Sequence, residues 1–161
     1  SNGFQALIKL GLLPYGEIKT LSENAPTLTL NINGRHVSQL AATKVVSKLS
    51  PWLKNTGLGD VYTLPISHRE GRFVATEDDL KDLISKGQIA TQYVDLDGNA
   101  TYDGYYNPSG SLYAVEGLTS SDGRILGKMA HSERVESDIY KNVPGEKNQG
   151  IFKSGVEYYK I

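Results

Sequence analysis

The chain has 161 residues, and its 17 basic and 18 acidic side chains leave a formal net charge of −1. This length suits one domain with a substantial core, and the near-zero charge argues against nucleic acid or an anionic membrane as a partner. An apolar fraction of 39% and a charged fraction of 22% exclude a disordered chain.

Two further features limit the class of protein. No apolar stretch approaches the roughly 20 residues that a membrane helix needs, and the N-terminus lacks the basic start of a signal peptide. Because the chain contains no Cys, it forms no disulfide, thiolate zinc site or cysteine nucleophile. We therefore expect a cytoplasmic protein, and no spacing of His, Asp and Glu predicts a metal site.

Hydrophobic periodicity and turn residues predict a mixture of helices and strands. In the N-terminal half these are, in chain order, a buried helix over 4–13, a strand over 27–33, a strand rather than a helix over 36–48, and a helical turn at 50–53. In the C-terminal half they are a strand over 62–67, a helix over 76–86, a strand over 89–95, a hairpin of 115–120 and 124–130, and a helix over 151–159.

Local signals support three of these elements. Thr76 is a suitable cap for the helix that follows, with Asp79 three residues on. Asp122-Gly123 is a typical hairpin turn. In the last helix the aromatic and apolar side chains of Phe152, Val156 and Tyr159 are spaced to share one face.

The first candidate site is SNGFQ, which begins at Ser1 and leads directly into the first helix. A nucleophile just before a helix gains from the backbone N–H groups and the positive dipole at the helix start. A small residue two places later, here Gly3, lets a sharp elbow close without a clash. The pattern is equally compatible with a chain terminus or a tag remnant.

The second candidate is His131-Ser132-Glu133-Arg134, directly after a predicted strand. Residues i and i+2 of an extended chain point the same way, so Glu133 is placed to orient His131 as in a nucleophile–base–acid triad. The alternative is a surface histidine beside a solvated carboxylate.

The third candidate is SHREGR at 67–72, which also follows a strand. It contains a potential base, two cations suited to carboxylate binding and a glycine that allows close approach. As an isolated pattern it is equally compatible with a charged loop.

Together, and in this order, the motifs closely resemble the glutamine amidotransferase domain of phosphoribosylformylglycinamidine synthases. The resemblance runs from Ser1 to about Val135, and the segments that carry it are SNGFQALIKLGLLP, PISHREGRF, QYVDLDGNAT, NPSGS and TSSDGRILGKMAHSERV. It implies an α/β chain with the three-layer, flavodoxin-like class I amidotransferase fold, in which helices sandwich a mostly parallel sheet. Residues 1–161 would form the C-terminal portion of that domain, with its N-terminal part outside this chain and required as a partner.

The resemblance also implies a catalytic triad. Ser1 stands where the family has its nucleophilic Cys. His131 and Glu133 match the His and Glu of the family's His-Pro-Glu-Arg motif, although Ser132 replaces Pro. A serine hydroxyl has almost no anionic fraction at neutral pH, so this chain is expected to be inactive as written. Ser1 is either a replacement for Cys or a tag residue, and the unchanged elbow register after it favours replacement.

Substrate-binding positions follow from the same resemblance. Gln5 matches a glutamine that the family places near bound substrate. His68, Glu70 and Arg72 match the family's His-Gly-Glu-Gly-Arg loop, with Arg69 where Gly is usual.

The implied reaction is hydrolysis of glutamine to glutamate and ammonia, with the ammonia used to aminate formylglycinamide ribonucleotide in purine biosynthesis. The partner is a synthetase domain, in the same chain or a separate subunit. ATP and Mg²⁺ belong to that synthetase, and no cofactor is expected in this domain.

Two other functions remain open at this point. One is a catalytically silent module that binds glutamine or docks on the synthetase. The other is an N-terminal-nucleophile hydrolase, in which the free amine of Ser1 acts as the base and His131 is not needed.

Overall fold

The computed structural model describes residues 2–160 and contains both helices and strands. The α-helices are α1 (Asn2–Leu10), α2 (Leu12–Tyr15), α3 (Glu77–Ser85) and α4 (Ile151–Tyr159). The strands are β1 (Thr27–Thr29), β2 (Val37–Val45), β3 (Val61–His68), β4 (Arg72–Val74), β5 (Ile89–Tyr93), β6 (Val115–Thr119) and β7 (Leu126–Lys128). None of the helices in this range has the length and apolar character needed to cross a membrane.

The main sheet has five strands in the order β3-β2-β5-β6-β7, and β1 pairs separately with β4. Every one of these pairings is antiparallel, so the mostly parallel sheet that we expected is not what residues 2–160 form. Parallel neighbours need long crossover connections, whereas β6 and β7 are joined by a tight turn that returns the chain antiparallel.

The main sheet curls until its two ends meet. Ile66, on edge strand β3, forms an isolated antiparallel bridge with Ala130, which follows the opposite edge strand β7. The backbone N–H of His131 donates to the carbonyl of Pro65 at 2.8 Å. The C-terminal ends of β3 and β7 are therefore held next to each other.

Helix α1 packs against the curled sheet at β7. Its buried side chains are Phe4 and Ile8, which are 3% and 0% exposed. Gly127 on β7 allows this close approach, because a Cβ there would meet the side chains of Phe4 and Leu13. The contact places the N-terminus of α1 beside the ends of β3 and β7.

Several predicted elements are confirmed. The Thr76 hydroxyl accepts a hydrogen bond from the backbone N–H of Asp79 at 3.1 Å and caps α3. Gly123, with φ of +75°, closes the predicted hairpin turn by donating to Ser120 at 2.9 Å. The ambiguous segment 36–48 is a strand, as predicted, and the helical turn after Ser50 is present.

Other expectations were wrong in detail. The first predicted helix is interrupted at Gly11, which has φ of +88°. The strand predicted over 27–33 ends at Thr29, because the chain turns between Asn31 and Gly34. Strand β4 was not predicted.

Helix α4 packs through a different face from the one expected. Phe152 and Val156 are 57% and 68% exposed, and Tyr159 is also exposed. The buried residues are Ser154 and Gly155, since Gly155 leaves room for the ring of Trp52. Two small residues, together with the ring of Tyr159 against Trp52, therefore attach α4 to the rest of the chain.

Candidate functional site

A cavity of about 710 Å³ lies where the curled sheet meets the N-terminus of α1. It is lined by three segments that are distant in sequence, the start of α1, the end of β3 with its loop, and the residues after β7. The lining residues are Asn2, Gly3, Gln5, His36, Ser67, His68, Arg69, Glu70, His131 and Arg134. Four of the predicted site residues, Gln5, His68, Glu70 and His131, thus share one cavity.

His131 and Glu133 form the contact expected of a base and its orienting acid. The Nδ1 of His131 lies 2.6 Å from Oε1 of Glu133. Burial alone would raise the pKa of Glu133, but hydrogen bonds from its own backbone N–H and from His131 outweigh this and lower the pKa. The carboxylate is therefore ionised at neutral pH and accepts the Nδ1 proton, which leaves the lone pair on Nε2.

The other ring nitrogen of His131 is available to a ligand. Its Nε2 is buried and has no hydrogen-bond partner among residues 2–160. Because His131 lines the cavity, a proton can be taken up at this nitrogen from a group bound there. Ser1, the predicted nucleophile position, lies outside the described residues.

Gln5 and Glu70 are joined directly, since the side-chain amide of Gln5 donates to Oε2 of Glu70. This contact links α1 to the loop between β3 and β4 across a separation of 65 residues. Arg72 lies on β4 and is not among the lining residues, and its Nε has no partner within residues 2–160. The structure therefore brings Gln5, His68 and Glu70 together and leaves Arg72 apart from them.

The neutral ring of His68 is held in one tautomer by Asn31, which sequence patterns did not single out. The Nδ2 of Asn31 donates to the carbonyls of Arg35 and His68, at 2.8 and 2.9 Å. Its Oδ1 accepts from the backbone N–H of Gly71 at 3.1 Å and lies 3.2 Å from Nδ1 of His68. Since Oδ1 can only accept, Nδ1 of His68 carries the proton and Nε2 is an acceptor.

Burial keeps the ring of His68 neutral. His68 is 4% exposed, and desolvation lowers its pKa from 6.5 to about 4. Its Nε2 is buried without a hydrogen-bond partner in the range 2–160. At neutral pH His68 therefore offers the cavity a hydrogen-bond acceptor, which suits a ligand with an N–H or O–H group.

The cavity also contains groups that the motifs did not indicate. His36 lies 3.0 Å from the Ser67 hydroxyl, and Arg134 lines the wall beside His131. No signal in the sequence marked Asn31 or His36, because their roles arise only when the turn after β1 meets the end of β3. Over the described range, no group of three or more His, Cys, Asp or Glu could hold a metal ion.

Comparison with known proteins identifies a matching family. The CobB/CobQ-like glutamine amidotransferase domain matches residues 1–159. The PurQ subunit of phosphoribosylformylglycinamidine synthase from Synechocystis is 35% identical over 144 residues, covering 89% of this chain and 58% of that protein. The PurQ subunit from Aquifex aeolicus is 33% identical over 138 residues, covering 86% of this chain and 55% of that protein.

The chain therefore spans less than three fifths of the length of these two relatives. The solved structure of PurLQS from Thermotoga maritima has a similar fold, with a TM-score of 0.69 and 24% identity over 99% of this chain and 59% of that chain. With the family match, this likeness confirms the predicted α/β amidotransferase fold class, although the strand pairings within residues 2–160 are antiparallel.

Proposed function

Because the chain belongs to the family of CobB/CobQ-like glutamine amidotransferase domains, we propose that it is the glutaminase part of a phosphoribosylformylglycinamidine synthase. In this role it hydrolyses glutamine to glutamate and ammonia. A synthetase partner then uses the ammonia, with ATP and Mg²⁺ bound to that partner, to aminate formylglycinamide ribonucleotide. The relatives named as PurQ subunits support this assignment.

The observation that carries the proposal is the shared cavity. Gln5, His68, Glu70 and His131 come from three separate segments, and all four line the same space of about 710 Å³. The resemblance that suggested these residues contains no information about distance. Their convergence is therefore an independent argument for a site.

His131 is suited to both proton transfers of the reaction. Its Nε2 accepts the proton of the nucleophile at position 1 as that nucleophile attacks the side-chain amide carbon of glutamine. The same proton is then given to the departing nitrogen, which leaves as ammonia. Water hydrolyses the acyl intermediate to glutamate, and Glu133 stabilises the transient imidazolium.

The start of α1 supplies the electrostatic part of the site. Asn2 and Gly3 are the first residues of the lining, and the first backbone N–H groups of a helix have no partner within the helix. These dipoles favour negative charge that develops on the substrate amide oxygen. His68, Gln5 and Glu70 bind and orient the glutamine.

A second function is favoured by the residue at position 1. Serine is a much weaker nucleophile than cysteine, so this chain can bind glutamine, or dock on a synthetase, without turnover. Binding without glutamate release would identify this silent role.

The proposal is tested by comparing the complete synthase with Ser at position 1 and with the substitution Ser1→Cys. We expect glutamate release from glutamine to rise by at least about 10³-fold in the Ser1→Cys enzyme, because removing a covalent nucleophile costs this much or more. Released glutamate is measured directly with purified protein.

The substitution His131→Ala in the Ser1→Cys enzyme is the companion variant. It is expected to return glutamate release to the level of the serine enzyme. Equal rates with Ser and Cys at position 1, or activity that survives His131→Ala, would contradict the triad.

A further inference from the structure

A buried ion pair lies directly behind the predicted base. Glu116, on β6, is fully buried, and the side chain of Lys128, at the end of β7, is 8% exposed. Their Oε1 and Nζ atoms are 3.4 Å apart. The other carboxylate oxygen of Glu116 accepts a hydrogen bond from the Thr91 hydroxyl.

The pair binds the backbone of the residue before His131 and the side chain of the residue after it. Glu116 Oε1 accepts a hydrogen bond from the backbone N–H of Ala130 at 2.7 Å. Lys128 Nζ donates to the carbonyl of Ala130 at 3.2 Å and to the Ser132 hydroxyl at 3.3 Å. Ala130 is therefore bound to both charges, and Ser132, on the other side of His131, is bound to Lys128.

The hydrogen-bond network continues beyond Ser132, whose hydroxyl donates to Oε1 of Gln149 at 3.0 Å. The family motif has Pro at this position, which restricts the backbone through its ring. Serine has no such restriction, but its hydroxyl receives a hydrogen bond from Lys128 that proline cannot accept. Lys128 thus gives position 132 a contact that a proline there would not make.

Fold stability alone gives no reason for this arrangement. Taking two charges out of water is costly, and well-packed apolar side chains often stabilise a protein equally well or better. What the charges supply is a firm hold on the segment next to His131, since hydrogen bonds to charged groups are stronger than those between neutral groups.

We propose that Glu116 and Lys128 are positioning residues, which hold the segment 130–132 so that the ring of His131 faces the cavity. The inference rests on the proposed glutaminase function for its kinetic consequence. Its structural consequence, the fixed orientation of His131, does not depend on that function.

The kinetic test uses the complete synthase with Ser1→Cys as background. Lys128→Met and Glu116→Gln are expected to lower kcat on the order of 10- to 100-fold, since small misplacements of a catalytic group cost this much. The KM for glutamine should change little, because neither residue lines the cavity. Lys128→Arg, which keeps the charge and the donors, should retain most of the activity.

The double substitution Glu116→Leu with Lys128→Met separates positioning from stability. It leaves no unpaired buried charge, so the thermal midpoint should recover towards that of the parent. We expect kcat to stay low. A double variant with both parental midpoint and parental kcat would overturn the proposal. The exposed ion pair Glu77–Lys81 provides the control, and Glu77→Gln with Lys81→Met should change neither quantity.

A chemical measurement decides the inference even if no variant releases glutamate. Carbethoxylation of His131 by diethyl pyrocarbonate is followed by peptide mass spectrometry, with exposed His36 as an internal standard. Loss of the Glu116–Lys128 ion pair should raise the carbethoxylation rate at His131 several-fold relative to that at His36. Lys128→Arg should leave this relative rate unchanged. If the ratio of the carbethoxylation rates at His131 and His36 were unchanged in Lys128→Met and Glu116→Gln, the proposal would be overturned. If this ratio changed but no variant released glutamate, only the glutaminase assignment would be refuted.

Discussion

At the scale of single residues, the two histidines of the cavity differ in what their Nδ1 atoms contact. Nδ1 of His131 faces the ionised carboxylate of Glu133, which accepts its proton. His68 faces the neutral amide of Asn31 and is almost fully buried. His131 is therefore suited to accept a proton, whereas His68 is a fixed hydrogen-bond acceptor.

Sequence motifs named both histidines but not this difference. His131-x-Glu133 indicates an orienting acid, because residues two apart in extended chain point the same way. The environment of His68 depends on Asn31, which is 37 residues away and reaches it only through the fold. Long-range hydrogen bonds of this kind have no local signature.

The buried state of His68 predicts a loss of stability in acid. Because its pKa is lowered to about 4 in the folded protein, against 6.5 for an ordinary His, the unfolded chain binds more protons between these two pH values. The contribution of His68 to stability is therefore present above pH 6.5 and decreases as the pH falls towards 4. Between pH 7 and pH 5 it should cost about 2 kcal/mol of the free energy of unfolding.

Urea unfolding at the two pH values measures this effect. His68→Gln should lose about 2 kcal/mol less than the parent over the same interval. Exposed His36 is the matched control, and His36→Gln should keep most of the parental pH dependence, because burial is the main cause of the lowered pKa of His68. Parallel slopes for His68→Gln and the parent would show that another group causes the acid sensitivity.

At the scale of elements, capping and turn residues were the most informative signals. The cap at Thr76 and the turn at Gly123 act through contacts within a few residues, so their patterns were sufficient to predict α3 and the hairpin. The orientation of α4 was missed because apolar spacing favours burial of Phe152 and Val156. The structure instead uses the space above Gly155 for a tryptophan ring.

The contact between α1 and β7 connects the two halves of the predicted triad. Helix α1 follows position 1, and β7 leads into His131. Their separation is set at Gly127, where the chain has no side chain to hold the helix away. A change at this position should therefore affect stability and activity together.

The substitution Gly127→Ala tests this coupling. An added Cβ would lie 2.6 Å from Cδ1 of Leu13 and would also collide with Phe4, both of them buried. We expect the free energy of unfolding to fall by about 1–3 kcal/mol, as in other overpacked cores. Glutamate release by the Ser1→Cys synthase should fall as well, because α1 and its elbow are displaced from His131.

Gly104→Ala is the matched control for this substitution. A Cβ at Gly104 would meet nothing within 4 Å, so stability should change by less than about 0.5 kcal/mol. If Gly127→Ala were as harmless as Gly104→Ala, the packing of α1 on β7 would not limit the site.

At the scale of the whole molecule, closure of the sheet creates the cavity. Hydrophobic alternation predicted most strands, but it contains no information on which strands pair or in which direction. We expected the site at the end of a parallel sheet. The structure instead forms it where the Ile66–Ala130 bridge joins the two edges of an antiparallel one.

A ligand that contacts all three segments that line the cavity should stabilise the fold as a whole. Glutamine at about 100 times its Kd is expected to add about 2.7 kcal/mol to the free energy of unfolding. For a chain of this size that corresponds to a thermal shift on the order of 5 to 10 °C. The serine form is suited to the measurement, because the ligand is not consumed if position 1 is the nucleophile.

Two variants show whether the shift comes from the cavity. Glu70→Ala removes a lining carboxylate and the partner of Gln5, so the glutamine-dependent shift should be largely lost. Glu77→Ala, on the exposed first turn of α3, should keep it. An equal shift in both variants would place glutamine elsewhere on the molecule. The absence of any shift in the parent, at concentrations that saturate the Ser1→Cys synthase, would mean that the cavity of this chain is not sufficient to bind the substrate.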